Sequence, residues 1–173
     1  NAVRGYEDDD NVRYFFHAIF DTPFESTGTA YRDSVVPGSA SARGEKITLF
    51  VNYIFPKART VGVKIGISYV SLEQAEQNVN KEIPNWGFDA IKDRARAIWN
   101  ETLGKIKVEG GTEKQRRIFY TALYRSHERM VNISEYGKYY SGFDKKVHDD
   151  GGKDFYVDDW LWDTYRSLHA LQM

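Results

Sequence analysis

The chain has 173 residues, of which 41% are hydrophobic and 28% charged, with a formal net charge of −1, proportions of a soluble globular protein rather than a disordered one. Acidic and basic residues are mixed along the sequence, so no basic stripe marks a nucleic-acid footprint, and the longest apolar runs are of strand length, too short to span a bilayer. Cysteine is absent, which excludes disulfide scaffolds and cysteine-based zinc sites.

The opening Asn1-Ala-Val-Arg4 carries no signal peptide, and both ends read as cut, so a fragment is expected. Residues 1–70 alternate with period two. Val12, Tyr14, Phe16, Ala18 and Phe20 fall on one face of a strand, as do Ile47, Leu49, Val51, Tyr53 and Phe55, and then Val61, Val63, Ile65, Ile67 and Tyr69. A stretch from Ser26 to Gly44, punctuated by Gly28, Pro37 and Gly38, reads as turns. Strands at this spacing without intervening helices predict an antiparallel sheet, the end of a β-sandwich.

After Val70 the period changes to about 3.6. Ser71-Leu-Glu-Gln74 has the pattern of a capping box, and Ala75 and Val79 continue the face of a helix that Pro84 closes. Phe88, Ile91, Ala95, Ile98, Trp99, Leu103 and Ile106 form the apolar stripe of a second helix, ended by Gly110-Gly111. Thr112-Glu-Lys-Gln115 opens a third, with Ile118, Phe119, Ala122 and Leu123 on its inner face. A loop rich in Gly, Tyr and Asp extends from Asn132 to Asp159, and a final helix begins near Trp160. The predicted organisation is a β-domain over residues 1–70, linker and first helices over 71–110, and the start of a helical domain over 111–173. The fold class is therefore mixed α+β, strands first and helices second.

Phe155-Tyr-Val-Asp-Asp-Trp-Leu-Trp-Asp-Thr-Tyr-Arg166 is the segment densest in chemistry-bearing residues. On a helix starting at Asp158 or Asp159, the side chains of Asp159, Trp162, Asp163 and Arg166 share one face. A carboxylate accepts hydrogen bonds from sugar hydroxyls, an indole packs on a sugar ring, and the guanidinium orients the carboxylate. The same pattern also fits a helix cap, a surface ion pair and core tryptophans. Aromatics, 15% of the chain, fit either sugar stacking or core packing. A second candidate is the loop Glu135 to Asp144 with His148, Asp149 and Asp150, which lacks the alternating oxygen ligands of a calcium loop. His127-Glu128 is no zinc site, because no second His stands at the required spacing.

Several segments in order resemble the family 92 glycoside hydrolases: Val63 to Ser71, Glu73-Gln-Ala75 with Asn78, Glu82-Ile-Pro84, Ala97-Ile-Trp-Asn100, Ile106 to Glu113, Phe119 to Tyr124, Gly137-Lys-Tyr139, Asp144 and Trp162-Asp-Thr-Tyr-Arg166. Residues 125–132 depart from the Pro-containing stretch that many members carry. The resemblance implies the end of a β-sandwich joined by helices to the start of an (α/α)6 barrel. It implies calcium-dependent, inverting removal of terminal α-linked mannose from N-glycans or mannans, by a periplasmic or secreted enzyme. Carried over, Trp162 and Asp163 line the subsite of the cleaved mannose and Arg166 braces them, with Asp159 beside them. The acid, the base and most calcium ligands are expected beyond Met173, so the expected partners are the glycan and the remainder of the parent enzyme. The alternative is a carbohydrate-binding β-module with a helical appendage and no catalysis.

Overall fold

A computed structural model describes residues 1–9, 12–32 and 34–173. The chain begins with strands β1 (Ala2–Asp9), β2 (Val12–Phe20), β3 (Ser26–Tyr31), β4 (Ser34–Pro37), β5 (Ile47–Asn52) and β6 (Val63–Ser68). They make two antiparallel three-stranded sheets, ordered β1-β2-β6 and β4-β3-β5. The strands anticipated from periodicity are β2, β5 and β6. The segment expected as turns instead holds the β3–β4 hairpin, and β1 precedes it all. In β3, Gly28 interrupts the apolar pattern for a steric reason. It faces Phe50 across the pair, and a Cβ there would stand 2.2 Å from the Phe50 ring. The ring covers the glycine and closes the cross-strand pair.

Helix α1 (Leu72–Glu82) lies over the β1-β2-β6 sheet, and it lies on the face that periodicity does not favour. In β6 the polar set Lys64, Gly66 and Ser68 is buried beneath α1, while Val63, Ile65 and Ile67 are 50%, 55% and 63% exposed. Three local arrangements make this possible. Gly66 lets the helix backbone approach, since a Cβ there would stand 2.2 Å from the Ala75 carbonyl oxygen and 2.8 Å from the Val79 Cβ. The Lys64 ammonium crosses under the helix to donate to the Ile83 carbonyl at 2.8 Å, where the helix dipole favours positive charge. It also lies 4.6 Å from the Trp86 ring. The Ser68 hydroxyl accepts from the Val70 and Ser71 N–H groups at the turn into α1. Ala75 and Val79 fill the contact and are almost fully buried.

Only one arm of the first capping box forms. Ser71 accepts from the Gln74 N–H, but the Gln74 side chain turns instead to Asn78. Helix α2 (Phe88–Leu103) comes next, then α3 (Glu113–Arg125), whose Thr112–Gln115 box is complete in both directions. The apolar stripe of α2 is largely open. Phe88 is 80% exposed, and Trp99 alone makes a close ring contact, 4.5 Å from Tyr124 of α3. On α3, Leu123 is buried but Ile118 and Phe119 are exposed. The rest of the chain forms β7 (Val131–Asn132), β8 (Lys138–Ser141), β9 (Lys146–Asp149), β10 (Tyr156–Val157), α4 (Leu161–Thr164) and α5 (Leu168–Gln172). Strand β7 pairs with β10, and β8 with β9, so the expected loop from Asn132 to Asp159 contains two small antiparallel ladders.

Because the backbone of α1 sits directly on Gly66, Gly66→Ala is expected to destabilise the fold by about 3 kcal/mol through overpacking. Denaturant unfolding measures it. A loss below about 0.5 kcal/mol would show that the helix is not seated there.

Candidate functional site

A buried polar network precedes the site and supports it. Glu135, next to the β8–β9 hairpin, reaches back across the chain to the sheet and to α1. One carboxylate oxygen accepts from the Tyr69 N–H at 2.8 Å, and the other accepts from the Asn78 amide, also at 2.8 Å. The same amide donates to the Ile67 carbonyl, and the Asn78 side-chain oxygen accepts from Gln74. All three side chains are buried. Beside them Asn78, Glu82, Tyr136, Asp150 and Asp154 line an open cleft of about 520 Å³. Burial, then the neighbouring Glu82 carboxylate, pushes the Tyr136 phenol up, and Lys81 stands 3.9 Å from its ring.

The hairpin itself carries a stack of rings. Phe155 and Tyr139 are nearly parallel with centroids 4.0 Å apart, and His148 lies on the other side at 5.5 Å. The His148 Nε2 faces the Asp144 carboxylate at 2.9 Å, and that contact holds the Asp144 carboxyl below its ordinary range. The expected candidate loop is thus an ordered hairpin whose Tyr, His and Asp side chains are engaged with one another.

In the Asp159 to Arg166 segment a continuous helix gives way to two short ones. Asp158 adopts φ 68°, a left-handed conformation rare for a residue other than glycine, immediately before α4. Helix α4 has four residues, and Ser167 leaves helical geometry before α5. The four expected residues therefore do not share one helix face. Asp159 lies ahead of α4 and turns toward the protein, accepting from the Thr164 hydroxyl at 2.7 Å. The His169 Nε2 stands 3.3 Å from its other oxygen. Trp162 is 86% exposed, with Tyr165 as its ring neighbour at 6.3 Å. Asp163 is exposed beside it. Arg166 donates to the Tyr165 hydroxyl at 2.7 Å, and among the described residues no ion pair joins it to Asp163. Trp162 and Asp163, neighbours in sequence, are thus both exposed on the turn, Asp159 is engaged by Thr164 and His169, and Arg166 is tied to Tyr165.

Sequence reasoning missed Thr164, His169 and the Arg129–Trp160 pair. The Arg129 guanidinium lies 3.9 Å from the Trp160 ring and 3.4 Å from Asp158. Thr164 and His169 stand five and ten residues from Asp159, spacings that match neither helix nor strand neighbours. Among the described residues no group of three or more His, Asp or Glu is placed to hold a metal ion. Asp144, Asp150 and Asp159 each accept hydrogen bonds from the chain itself and are not grouped with other acidic residues or histidines as a metal cluster. These residues alone do not form a calcium site.

With this geometry in view, comparison with known proteins is decisive at the level of family. The family model of the glycosyl hydrolase family 92 catalytic domain matches residues 74–173. The chain belongs to glycosyl hydrolase family 92. A GH92 inverting mannosidase from Bacteroides thetaiotaomicron superposes over 98% of this family 92 chain with a TM-score of 0.88 at 29% identity. A GH92-family glycosyl hydrolase named ccman5 superposes over 93% with a TM-score of 0.78, also at 29% identity. A protein of Arthroderma benhamiae named an uncharacterized secreted glycosidase is 35% identical over 80 residues, 44% of this chain. The chain spans 24% of the solved mannosidase, 22% of ccman5 and 10% of the fungal glycosidase. The fold is the mixed one expected, a β-portion running into helices as in those family 92 structures. No described helix is long and apolar enough to cross a membrane.

The contacts of the two inward carboxylates are each open to measurement. Glu135→Ala leaves the Tyr69 N–H and the Asn78 amide without an acceptor, and is expected to cost about 3 kcal/mol. Glu135→Gln must set its NH2 against one of those two donors and is expected to cost about 2 kcal/mol; chemical denaturation of both variants checks this. For Asp159, the Thr164 hydrogen bond, then that of His169, holds the carboxyl below its ordinary value of 3.8. The stabilisation is therefore full above the ordinary value and is lost as pH falls through the lowered one. Carboxyl 13C NMR should give Asp159 a midpoint below 3.8, and a midpoint at or above that value would contradict the inward contact.

Proposed function

We propose that this family 92 chain is part of an inverting exo-α-mannosidase acting on terminal α-linked mannose of N-glycans or mannans. In this reading it supplies sugar-binding residues, Trp162 and Asp163, while the acid and base come from outside it. The observation that carries the reading is the pairing of an exposed indole with an adjacent exposed carboxylate on one turn. That turn occurs in a chain that superposes on an inverting mannosidase along almost its whole length.

The chemistry suits these groups. A mannose ring presents a C–H face that packs on an indole, and neighbouring hydroxyls that donate to a carboxylate. Trp162 fixes the plane of the ring and Asp163 fixes its rotation within that plane. Arg166, braced by the Tyr165 hydroxyl, sets the electrostatic environment of the turn. In an inverting hydrolase one carboxylic acid protonates the leaving oxygen while a carboxylate activates water on the opposite face, with the two roughly 6.5–9.5 Å apart. Positioning of the ring between them is the contribution assigned to this chain. Calcium dependence belongs to the same reading, with most of the ligands supplied from outside residues 1–173. None of the roles given to Trp162, Asp163 or Arg166 is routed through the ion. Secretion is proposed likewise, supported by the name of the fungal relative.

The test is hydrolysis of an aryl α-mannoside by the full-length protein that carries this sequence, with the first-formed anomer tracked by NMR. Net inversion is expected, and added chelator is expected to suppress turnover. Trp162→Ala and Asp163→Ala are each expected to lower kcat/KM by about 100-fold with unfolding unchanged. Wild-type turnover in both variants would remove these residues from the sugar site.

A further inference from the structure

We propose that Asp159, Thr164 and His169 form a clamp that positions the Trp162-Asp163 turn, so that Asp159 is a positioning residue and not a sugar ligand. The inference rests on the reading of Trp162 and Asp163 as sugar-holding groups. It begins from a deficiency in the turn itself. A four-residue helix cannot sustain itself, because nucleation fixes several residues for each hydrogen bond formed. Within it, the Asp163 and Thr164 N–H groups both converge on the Trp160 carbonyl, at 2.7 and 3.1 Å. The Trp162 side chain is 86% exposed and has little packing to orient it. The direction in which the indole and the carboxylate point is therefore set by the backbone, and the backbone needs support from elsewhere.

That support is the Asp159 carboxylate. Thr164 is 5% exposed, and its hydroxyl donates to one Asp159 oxygen at 2.7 Å while standing 3.1 Å from the Trp160 carbonyl. The bond joins Asp159, two residues before α4, to the last residue of α4, closing the turn across its own ends. His169, on α5, approaches both carboxylate oxygens, at 3.4 and 3.3 Å. The same carboxylate thus spans α4 and α5 and fixes their angle. Helix α5 is tied in turn to the end of α3, since the Gln172 amide donates to the Ser126 carbonyl at 3.3 Å. The Asp159 carboxylate is engaged by Thr164 and His169, while Trp162 and Asp163 stand on the turn with no such partner contacts from that carboxylate.

The experiment uses the full-length protein and three variants. Thr164→Val removes the hydroxyl and keeps the shape, Thr164→Ser restores the hydroxyl, and Asp159→Asn keeps an acceptor oxygen without the charge. Two quantities are read: amide hydrogen exchange of the peptide covering residues 160–166, and KM and kcat on an aryl α-mannoside. In Thr164→Val, exchange in that peptide is expected to rise about tenfold with the rest of the molecule unchanged, and KM to rise about tenfold with a smaller fall in kcat. Thr164→Ser should return both to within about twofold of wild type, with Asp159→Asn in between. A loss of folding alone would lower apparent kcat at constant KM and would raise exchange throughout the molecule rather than in that peptide alone. Unchanged exchange in Thr164→Val would overturn the clamp whatever the activity. Raised exchange with wild-type KM would overturn its positioning role. If wild-type protein fails to hydrolyse the mannoside, the functional reading fails, and the exchange measurement still decides whether the clamp exists.

Discussion

The two hydrogen bonds accepted by Glu135, from the Tyr69 N–H and the Asn78 amide, join three parts of the chain that sequence keeps far apart. Tyr69 ends the β-portion, Asn78 lies on α1, and Glu135 leads into the hairpin of β8 and β9. A buried carboxylate is costly unless its oxygens are satisfied, and here both are met by N–H donors held in place by secondary structure. The constraint works in both directions. The carboxylate needs those donors, and through them the sheet, helix and hairpin are held in their mutual positions, the Asn78 amide bonding the Ile67 carbonyl as well. The later part of the chain, including the stacked rings of Phe155, Tyr139 and His148, is built outward from this junction.

The same junction explains the unusual face of the sheet. A polar strand face beneath a helix is unfavourable unless each polar group finds a partner. Lys64 reaches a helix-end carbonyl, Ser68 accepts from the turn, and Gly66 has no side chain to exclude the helix. The apolar face with Val63, Ile65 and Ile67 is left toward the other side of the sheet. At the end of β2, Phe20 meets Tyr53, the residue after β5, with ring centroids 6.4 Å apart.

Sequence periodicity located β2, β5 and β6 and the first three helices, because each carries several apolar residues at one spacing. It did not reveal which face of β6 meets a helix. Alternation specifies that two faces differ, and only the partner decides which one is covered. It missed β3 and β4, where Gly28 and Pro37 look like turn residues but sit in a ladder, paired with each other. It located the stripe of α2 but not its surroundings, since a 3.6-residue pattern records amphipathicity without showing what lies against it. At the site, Trp162 and Asp163 were legible as adjacent residues of a recognisable segment. The inward turn of Asp159 was not, because it depends on the left-handed Asp158 and on partners at spacings that no regular element repeats.

The contrast between these two regions bears on how the proposed sugar site is assembled. The surface ion pairs of this chain, such as Arg117 with Glu113 and Lys92 with Asp89, are largely exposed, and pairs of that kind add little to stability. Order near the site has to come from contacts that are at least partly sheltered. Glu135 supplies it at the root of the hairpin, with a carboxylate between backbone and amide donors. Asp159 supplies it around α4, with a carboxylate between a buried hydroxyl and an imidazole. In both places an acidic side chain that looks like a ligand in the sequence is turned inward, and the outward chemistry is left to its neighbours. An indole and a carboxylate presented on a short turn can meet a sugar ring at little conformational cost only when the turn is already fixed. In the proposed clamp Asp159 fixes it, which is why a segment too short to be a stable helix can still present a defined surface.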